Sequence, residues 1–133
     1  MDKNKHLKRS IWLFGAILMI SIILLGCEAV PPPASITLEP EKDTNPVCTT
    51  HTVTATVKDK DGNPAQGVEV SFTVTGVNPT SGSSTTDDDG KATFTYHGEN
   101  VGTDGILANA NGAPTAIAFK YWVDHEVDIP IQE

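Results

Sequence analysis

Cysteine and histidine are the residues of this sequence with the widest chemical repertoire. The 133-residue chain has two cysteines, Cys27 and Cys48, and four histidines. A thiol can form a disulfide, bind a metal, act as a nucleophile or carry a covalent modification, and its surroundings decide between these roles. Cys27 lies between an apolar run and the Pro-rich stretch "EAVPPPAS", so its role depends on what those two segments do.

Catalytic and metal chemistry have little support in the spacing of these residues. Downstream of Cys27 there is no G-x-S-x-G or H-E-x-x-H motif, and no Ser/His/Asp set that strand spacing would bring together. Only His51 lies close enough to Cys48 in sequence to activate it, and the histidines are scattered without metal-ligand spacing. We therefore predict no catalytic residues and a buried, inert Cys48, with pairing between molecules as the alternative.

Five aspartates in two predicted turns could hold a cation. They occur in "DKDGN" and "DDDG" and are Asp59, Asp61, Asp87, Asp88 and Asp89. Carboxylates that converge from two loops suit Ca²⁺, which takes about six to eight oxygen ligands, but neither turn has a complete EF-hand pattern. Asp and Asn also favour turns for backbone reasons. We expect no cofactor, and calcium at these aspartates is the alternative.

The N-terminus has the features of an export signal in the expected order. A basic segment, "MDKNKHLKRS", precedes a charge-free apolar run of fifteen residues at positions 11–25. A membrane-spanning helix needs about 20 apolar residues, so this run fits the hydrophobic region of a signal peptide. The "LLGC" that follows resembles the lipobox of bacterial lipoproteins. The resemblance implies cleavage after Gly26, a diacylglycerol thioether on Cys27, and acylation of the new amine by a fatty acid such as palmitate.

Cleavage at that bond makes residues 1–26 a signal peptide and tethers the mature protein through its first residue. The resemblance implies an anchor in the outer face of the bacterial cell membrane, or in the outer membrane where there are two. Residues 27–34 then form a Pro-rich linker that keeps the domain within about 25 Å of the lipid. An uncleaved membrane anchor is the alternative to cleavage. If Cys27 carries no lipid, a Cys27–Cys48 disulfide becomes the leading alternative.

Charge is distributed very unevenly along the chain. Residues 1–26 carry a formal charge of +3, whereas residues 27–133 carry −11. Neutralising phosphates requires Lys and Arg, so this acidic body argues against a nucleic-acid partner. Its expected role is solubility at a crowded surface.

From residue 35 onward, apolar and polar residues alternate with the period of half-buried strands. Seven such runs are separated by Gly/Asn/Asp/Pro turns: "SITLE", "HTVTATVKD", "GVEVSFTVTG", "SSTTD", "KATFTYH", "TDGILANAN" and "AIAFKYWVD". These runs predict an all-β, antiparallel sandwich of about seven strands over residues 35–124, followed by an acidic tail at 125–133. In the last run the alternation assigns Ile117, Phe119, Tyr121 and Val123 to the core. It leaves Trp122 outside as an interaction point.

Three motifs in this region resemble the bacterial Ig-like domain of the invasin/intimin type (group 1). They are "HTVTATVKDKDGNPAQGVEVSFTVTG", "TTDDDGKATFTYHG" and "GTDGILANA", and they occur in the family's order and spacing. The resemblance implies an Ig-like β-sandwich that serves as a stalk or binding module in surface proteins. The sequence has one copy and no receptor-binding tip domain, so receptor binding is not carried over.

The strand order of an Ig-like domain also predicts which loops share an end. Turns 59–67, 87–90 and 111–114 should lie on the membrane side, and loops 41–47, 76–82 and 98–104 on the opposite side. We therefore expect a lipid-anchored, surface-exposed, non-catalytic module. It would mediate adhesion or contacts with a protein or glycan through the far loops, which include Asn78 and Asn100. The alternative is a structural spacer or a subunit of an envelope assembly with no ligand of its own.

Overall fold

The computed structural model describes residue 30 and residues 32–126, and this part of the chain folds into strands. The eight strands are β1 (Ser35–Glu39), β2 (Lys42–Pro46), β3 (Thr49–Lys58), β4 (Glu69–Gly76), β5 (Thr80–Thr85), β6 (Lys91–Gly98), β7 (Gly102–Ala110) and β8 (Ala116–Val123). No helix that could cross a membrane occurs among the described residues. The predicted signal peptide, Cys27 and residues 127–133 of the predicted tail lie outside them.

The strands form two sheets that pack face to face. One sheet has the order β1-β3-β6 and the other has the order β2-β8-β7-β4-β5. All pairs are antiparallel except β2 and β8, which are parallel. The predicted all-β, Ig-like sandwich is confirmed, with eight strands where seven were expected.

The additional strand, β2, lies in residues 41–47, which were expected to form a loop. Its sequence, "KDTNP", has no large apolar residue, so it lacks the alternation by which the other strands are predicted. Backbone hydrogen bonds fix it at the sheet edge: Phe119 N donates to Glu41 O (2.8 Å) and Val47 N donates to Val123 O (2.9 Å). The predicted strand at 83–87 is also displaced. β5 runs over Thr80–Thr85, and Asp87 belongs to the turn that follows.

The core fills the space between the two sheets. Inward residues alternate along β3, β4 and β7 as predicted, and all are buried: Val53, Ala55, Val57, Val70, Phe72, Val74, Ile106, Ala108 and Ala110. Removing one such large apolar side chain from water contributes about 1.5–3 kcal/mol. The period-two pattern of these strands therefore reports which face is buried.

The orientation predicted for β8 is wrong. Lys120 and Trp122 are at most 1% exposed, whereas Ile117, Phe119, Tyr121 and Val123 are 39–55% exposed. Alternation defines two faces of a strand but does not say which is inward when both carry apolar residues, and a shift of one residue exchanges them. The inward side is fixed by two carboxyl groups: the buried Asp104 accepts a hydrogen bond from Trp122, and the partly exposed Asp43 of the edge strand β2 accepts one from Lys120.

The two ends of the sandwich gather different loops. At one end, Ala34 N donates to Lys58 O (2.8 Å) and Val57 N donates to Gly90 O (2.8 Å), while Gly112 lies beside Pro33. We call this end, where β1 begins and turns 59–67, 87–90 and 111–114 meet, the near pole. The far pole is the opposite end, with the β4–β5 and β6–β7 turns. The predicted grouping of the three turns is confirmed.

Candidate functional site at the far pole

An open cleft of about 530 Å³ lies toward the far pole, between β5 and β6. These are edge strands of the two different sheets, so the cleft follows the open side of the sandwich. Its lining combines aromatic side chains of β6 with polar groups from both far-pole turns: Asn78, Pro79, Thr80, Ser81, Phe94, Thr95, Tyr96, His97, Glu99 and Asn100. Such a lining offers an apolar surface and several hydrogen-bonding groups to the same ligand.

A row of aromatic rings lies behind and along the floor of the cleft. The Phe94 ring stacks on Phe72 with centroids 5.2 Å apart, and Tyr96 meets Trp122 edge to face at 5.8 Å. Gly82 of β5 leaves the space that Phe94 occupies, because a side chain at that position would overlap the ring. The floor is therefore fixed by packing on both sheets.

Asn78 holds the two far-pole turns together from the inside. Its Oδ1 accepts hydrogen bonds from the backbone N–H groups of Glu99 (2.9 Å) and Asn100 (2.8 Å), and its Nδ2 donates to Asn100 O (3.1 Å). Its side chain is buried, so its contribution is structural. The other predicted contact residue, Asn100, is exposed on the rim, and its Nδ2 donates to Val77 O (3.1 Å).

Asp104 is the buried centre of this end of the sandwich. It is 0% exposed and accepts four hydrogen bonds: from Asn78 N (2.8 Å), Asn78 Nδ2 (3.1 Å), Tyr96 Oη (3.2 Å) and Trp122 Nε1 (2.8 Å). Four donors match the acceptor capacity of a carboxylate. Burial, followed by the proximity of Asp104, raises the pKa of the Tyr96 phenol far above its usual range. Asp104 was not among the predicted site residues.

A second polar cluster joins β2, β3 and β8 at the edge of the sandwich, where the side chain of Asp43 is partly exposed. The buried Lys120 Nζ donates to Asp43 Oδ2 (2.6 Å), and His51 Nδ1 lies 3.2 Å from the same oxygen. The hydrogen bond from Lys120 lowers the pKa of Asp43. Burial, followed by the charge of Lys120, lowers the pKa of His51. Lys120 also lies 5.1 Å from the centroid of the Trp122 ring, an additional favourable contact for its charge.

The five predicted calcium ligands do not all come together. Asp87, Asp88 and Asp89 form one exposed group with carboxyl oxygens within 4.8 Å of one another, and Asp59 and Asp61 are not part of it. Asp87 Oδ1 accepts from Asp89 N and Lys91 N (both 2.9 Å), and Asp59 Oδ1 accepts from Asp61 N (2.9 Å) and Asn63 N (3.0 Å). These are Asx turns, which explain aspartate at both positions without a metal. Calcium binding stays the alternative to the expected absence of a cofactor, and calorimetric titration can test it.

The prediction that Cys48 is buried is wrong. Its thiol is exposed, and its backbone has a φ of 64°, which side-chain-bearing residues rarely adopt. Cys48 N donates to Gly98 O (2.7 Å), so the residue forms the tight connection between β2 and β3 at the far pole. Chain reversal, and not packing, determines its position.

The solved structures that resemble this chain include three with a TM-score of 0.48 each. The Yersinia pseudotuberculosis adhesin InvE is 25% identical over 66% of this chain, and the match spans 26% of the adhesin chain. The PKD domain of an M14-like peptidase from a Thermoplasmatales archaeon is 14% identical, with 71% of this chain and 98% of that domain covered. The CARDB domain of the Pyrococcus furiosus PF1109 protein, solved in complex with di-metal ions, is 14% identical, with 74% and 100% covered.

No curated protein matches the chain. A family model does: the bacterial Ig-like domain (group 1) matches residues 48–120, more than half of the 133 residues. The match runs from Cys48 to Lys120 and so includes all of β3 to β7, with Asn78, Tyr96 and Asp104 of the buried network. This chain therefore belongs to the bacterial Ig-like domain (group 1) family.

Proposed function

We propose that this chain is a lipid-anchored, surface-exposed Ig-like module that is not an enzyme and that contacts a protein or glycan through its far-pole cleft. The observation that carries the proposal is that the chain enters the domain at the near pole, whereas the cleft opens toward the far pole. An anchor that precedes β1 would therefore hold the cleft away from the membrane. Membership of the group 1 Ig-like family supports the module's role in contacts between proteins.

The proposed anchor is Cys27, which precedes the first described residue of the linker by only three positions. Val30 lies beside Gly67, and Pro33 lies beside Gly112, so the linker reaches the domain at the near pole. A lipid on Cys27 would place the acidic turns of this pole closest to the membrane.

Intact mass of the mature protein purified from cells tests the anchor. We expect a chain that begins at Cys27 with a mass increment for diacylglycerol and fatty acid. A Cys27→Ala variant should lack the increment and leave the membrane fraction. A mature mass without lipid in the unaltered protein would contradict the anchor, whatever the cleft binds.

The proposed contact surface is the rim of the cleft, where His97, Glu99 and Asn100 are exposed. His97 Nδ1 lies 3.9 Å from Glu99 Oε1, so a cation and an anion are offered side by side when the imidazole is protonated. Hydroxyl groups of Thr80, Ser81 and Thr95 surround them. This combination suits a polar ligand such as an extended peptide or a glycan, which supplies donors and acceptors together.

Retention of the soluble form, residues 28–133, on cells, matrix proteins and glycan arrays tests the contact surface. This form contains all eight strands and the entire described core. We expect binding that falls at least about tenfold in a His97→Ala/Glu99→Ala variant, because an imidazole and a carboxylate that can hydrogen-bond to the ligand are removed. A Lys60→Ala/Asp61→Ala control, which removes one exposed cation and one exposed anion at the near pole, should bind normally. No retention on any of these surfaces would favour the structural spacer.

A further inference from the structure

Four large apolar side chains form an exposed stripe along β8. Six large apolar side chains are exposed among the described residues, and these four are Ile117, Phe119, Tyr121 and Val123. They are consecutive outward positions of a strand inside the five-stranded sheet, so they lie in one line across its outer face. The outer face of the other sheet differs: it is rich in threonine, as in the pair of Thr52 and Thr95, whose hydroxyls are 2.7 Å apart.

On the side of β7, the surface next to this β8 stripe forms a depression. The outward position of β7 opposite Phe119 is Gly105, which has no side chain, and the next outward positions are Thr103 and Leu107. The space above Gly105 is open, since a Cβ there would meet only Thr75 Oγ1, at 3.5 Å. A ridge on β8 therefore runs next to a depression on β7.

We propose that this face binds a second copy of the same chain, with the β8 stripe of each copy lying in the β7 depression of the other. The two copies are related by a two-fold axis that runs parallel to the strands, midway between β8 and β7. This axis places β8 of one copy over β7 of the other and keeps every residue at the same position along the strand direction. Because Phe119 and Gly105 are paired in register, the axis places Phe119 of each copy over Gly105 of its partner copy. Both halves of the contact come from one surface, as a symmetric dimer requires.

The charge of the face permits this association. Only Lys42 and Glu69 are charged among the outward residues of its five strands, although residues 27–133 carry −11. Two copies can therefore approach through this face without bringing their acidic turns together. The same axis puts both near poles at one end of the dimer, which agrees with, but does not depend on, the proposed lipid anchor.

The size of the face predicts a weak dimer. The contact spans four neighbouring strands of the sheet, β2, β8, β7 and β4, which are together about 19 Å wide. The eight residues of β8 are about 27 Å long, so the contact covers about 500 Å² per copy. Stable interfaces bury about 800 Å² per partner, and smaller ones belong to transient complexes. We therefore expect dissociation in the micromolar range for the soluble form.

Sedimentation equilibrium of residues 28–133, from about 10 µM to about 1 mM, measures this dimer directly. Phe119→Lys should abolish it by putting two like charges near the axis. Gly105→Val should abolish it by filling the depression, in a position where a Cβ atom meets only Thr75 Oγ1, at 3.5 Å. Thr93→Lys, a matched charge on the threonine-rich face, should leave the dimer intact. Unchanged melting temperatures would show that each variant is folded.

Three results would contradict the proposal. The unaltered protein could remain monomeric over the whole concentration range, or Phe119→Lys could associate as strongly as the unaltered protein. Association could also occur only after residues 127–133 are deleted. That third result would mean that the apolar segment "VDIPI" of the same chain, and not a second copy, covers the stripe.

Discussion

Asp104 Oδ2 accepts a 2.8 Å hydrogen bond from the indole Nε1 of Trp122, and both residues are buried between the sheets. This bond connects a residue of a family motif, "GTDGILANA", with a strand whose orientation the sequence pattern does not reveal. It gives the tryptophan its hydrogen-bond partner and the carboxyl group one of its four donors. Asp104 is therefore a structural residue that fixes β8, the aromatic row and the far-pole turns together.

Replacing Asp104 should destabilise the domain strongly. Asp104→Asn keeps the shape but replaces one acceptor oxygen by an NH₂ group, which faces either the single donor at Oδ1 or the three donors at Oδ2, so at least one buried donor loses its acceptor and the buried negative charge is removed. We expect a loss of about 3 kcal/mol or more in the free energy of unfolding. Urea unfolding followed by the fluorescence of Trp122 measures it. Asp61→Asn, on an exposed turn, is the control and should change stability by less than about 0.5 kcal/mol. Equal stability of both variants would contradict this role.

Gly98 should tolerate no side chain. A Cβ at this position would overlap the indole ring of Trp122, which is buried and cannot move aside. Overpacking of this kind costs about 1–3 kcal/mol, so Gly98→Ala should lower the melting temperature by several degrees. Gly105→Ala is the matched control, because space is available there, and it should be nearly neutral. A neutral Gly98→Ala variant would mean that Trp122 is not packed as described.

Stability should fall as the pH drops below the ordinary histidine pKa of 6.5. The pKa of His51 is lowered in the folded state, so between that value and 6.5 the unfolded chain binds more protons and acid favours unfolding. A further loss should occur below 3.8, because the folded pKa of Asp43 is also lowered and protonation then favours unfolding. Urea unfolding across this pH range measures both. His51→Gln should remove the first decrease and keep the second.

Lys120 should control the titration of its neighbours. Its hydrogen bond and charge lower the pKa of Asp43, and its charge adds to the effect of burial in lowering the pKa of His51. Lys120→Met should therefore raise both pKa values, because it removes the donor and the charge while keeping a side chain of similar length. NMR titration of the His51 imidazole measures the change. Lys91→Met is the control, since Lys91 is exposed on the outer face of the other sheet. If the pKa of His51 does not rise in Lys120→Met, the charge of Lys120 does not influence His51 and this prediction is wrong.

Much of the fold can be predicted from the sequence, because a strand with one buried face shows apolar residues at every second position. Val53 and Val70 alternate with polar residues that are exposed or partly exposed, and in β3 and β4 only one face is apolar. The near-pole turns are predictable for a related reason, since Gly, Asn and Asp are selected there by backbone conformation. Gly90, with a φ of 72°, is one such position.

The errors have one physical cause: contacts between distant strands decide what local pattern cannot. β8 carries apolar residues on both faces, and the choice depends on Asp43, which lies 77 positions earlier in the sequence than Lys120. β2 has no large apolar residue to alternate with polar ones, so only its pairing with β8 defines it as a strand. The type of residue 122 was the signal that could have indicated the correct orientation of β8. A tryptophan buries a large apolar ring favourably when its single indole N–H finds a buried acceptor. The motif aspartate, Asp104, was that acceptor.

The position of the candidate site was partly predictable in the same way. The far-pole loops were expected to carry the contact surface, and the cleft lies there, with Asn100 on its rim. The roles within it were not predictable, because Asn78 is an exposed-looking turn residue whose burial depends on the β6–β7 turn folding over it. Sequence spacing gives no information on such contacts between turns.

Labelling of Cys48 on intact cells tests the central claim, that the far pole of an anchored module faces the outside. Cys48 is exposed at the far pole, and a lipidated Cys27 would leave it as the only thiol of the mature chain. A membrane-impermeant maleimide should label the full-length protein on intact cells as completely as after lysis, and a Cys48→Ser variant should not be labelled. Labelling that occurs only after the cells are broken would contradict the account.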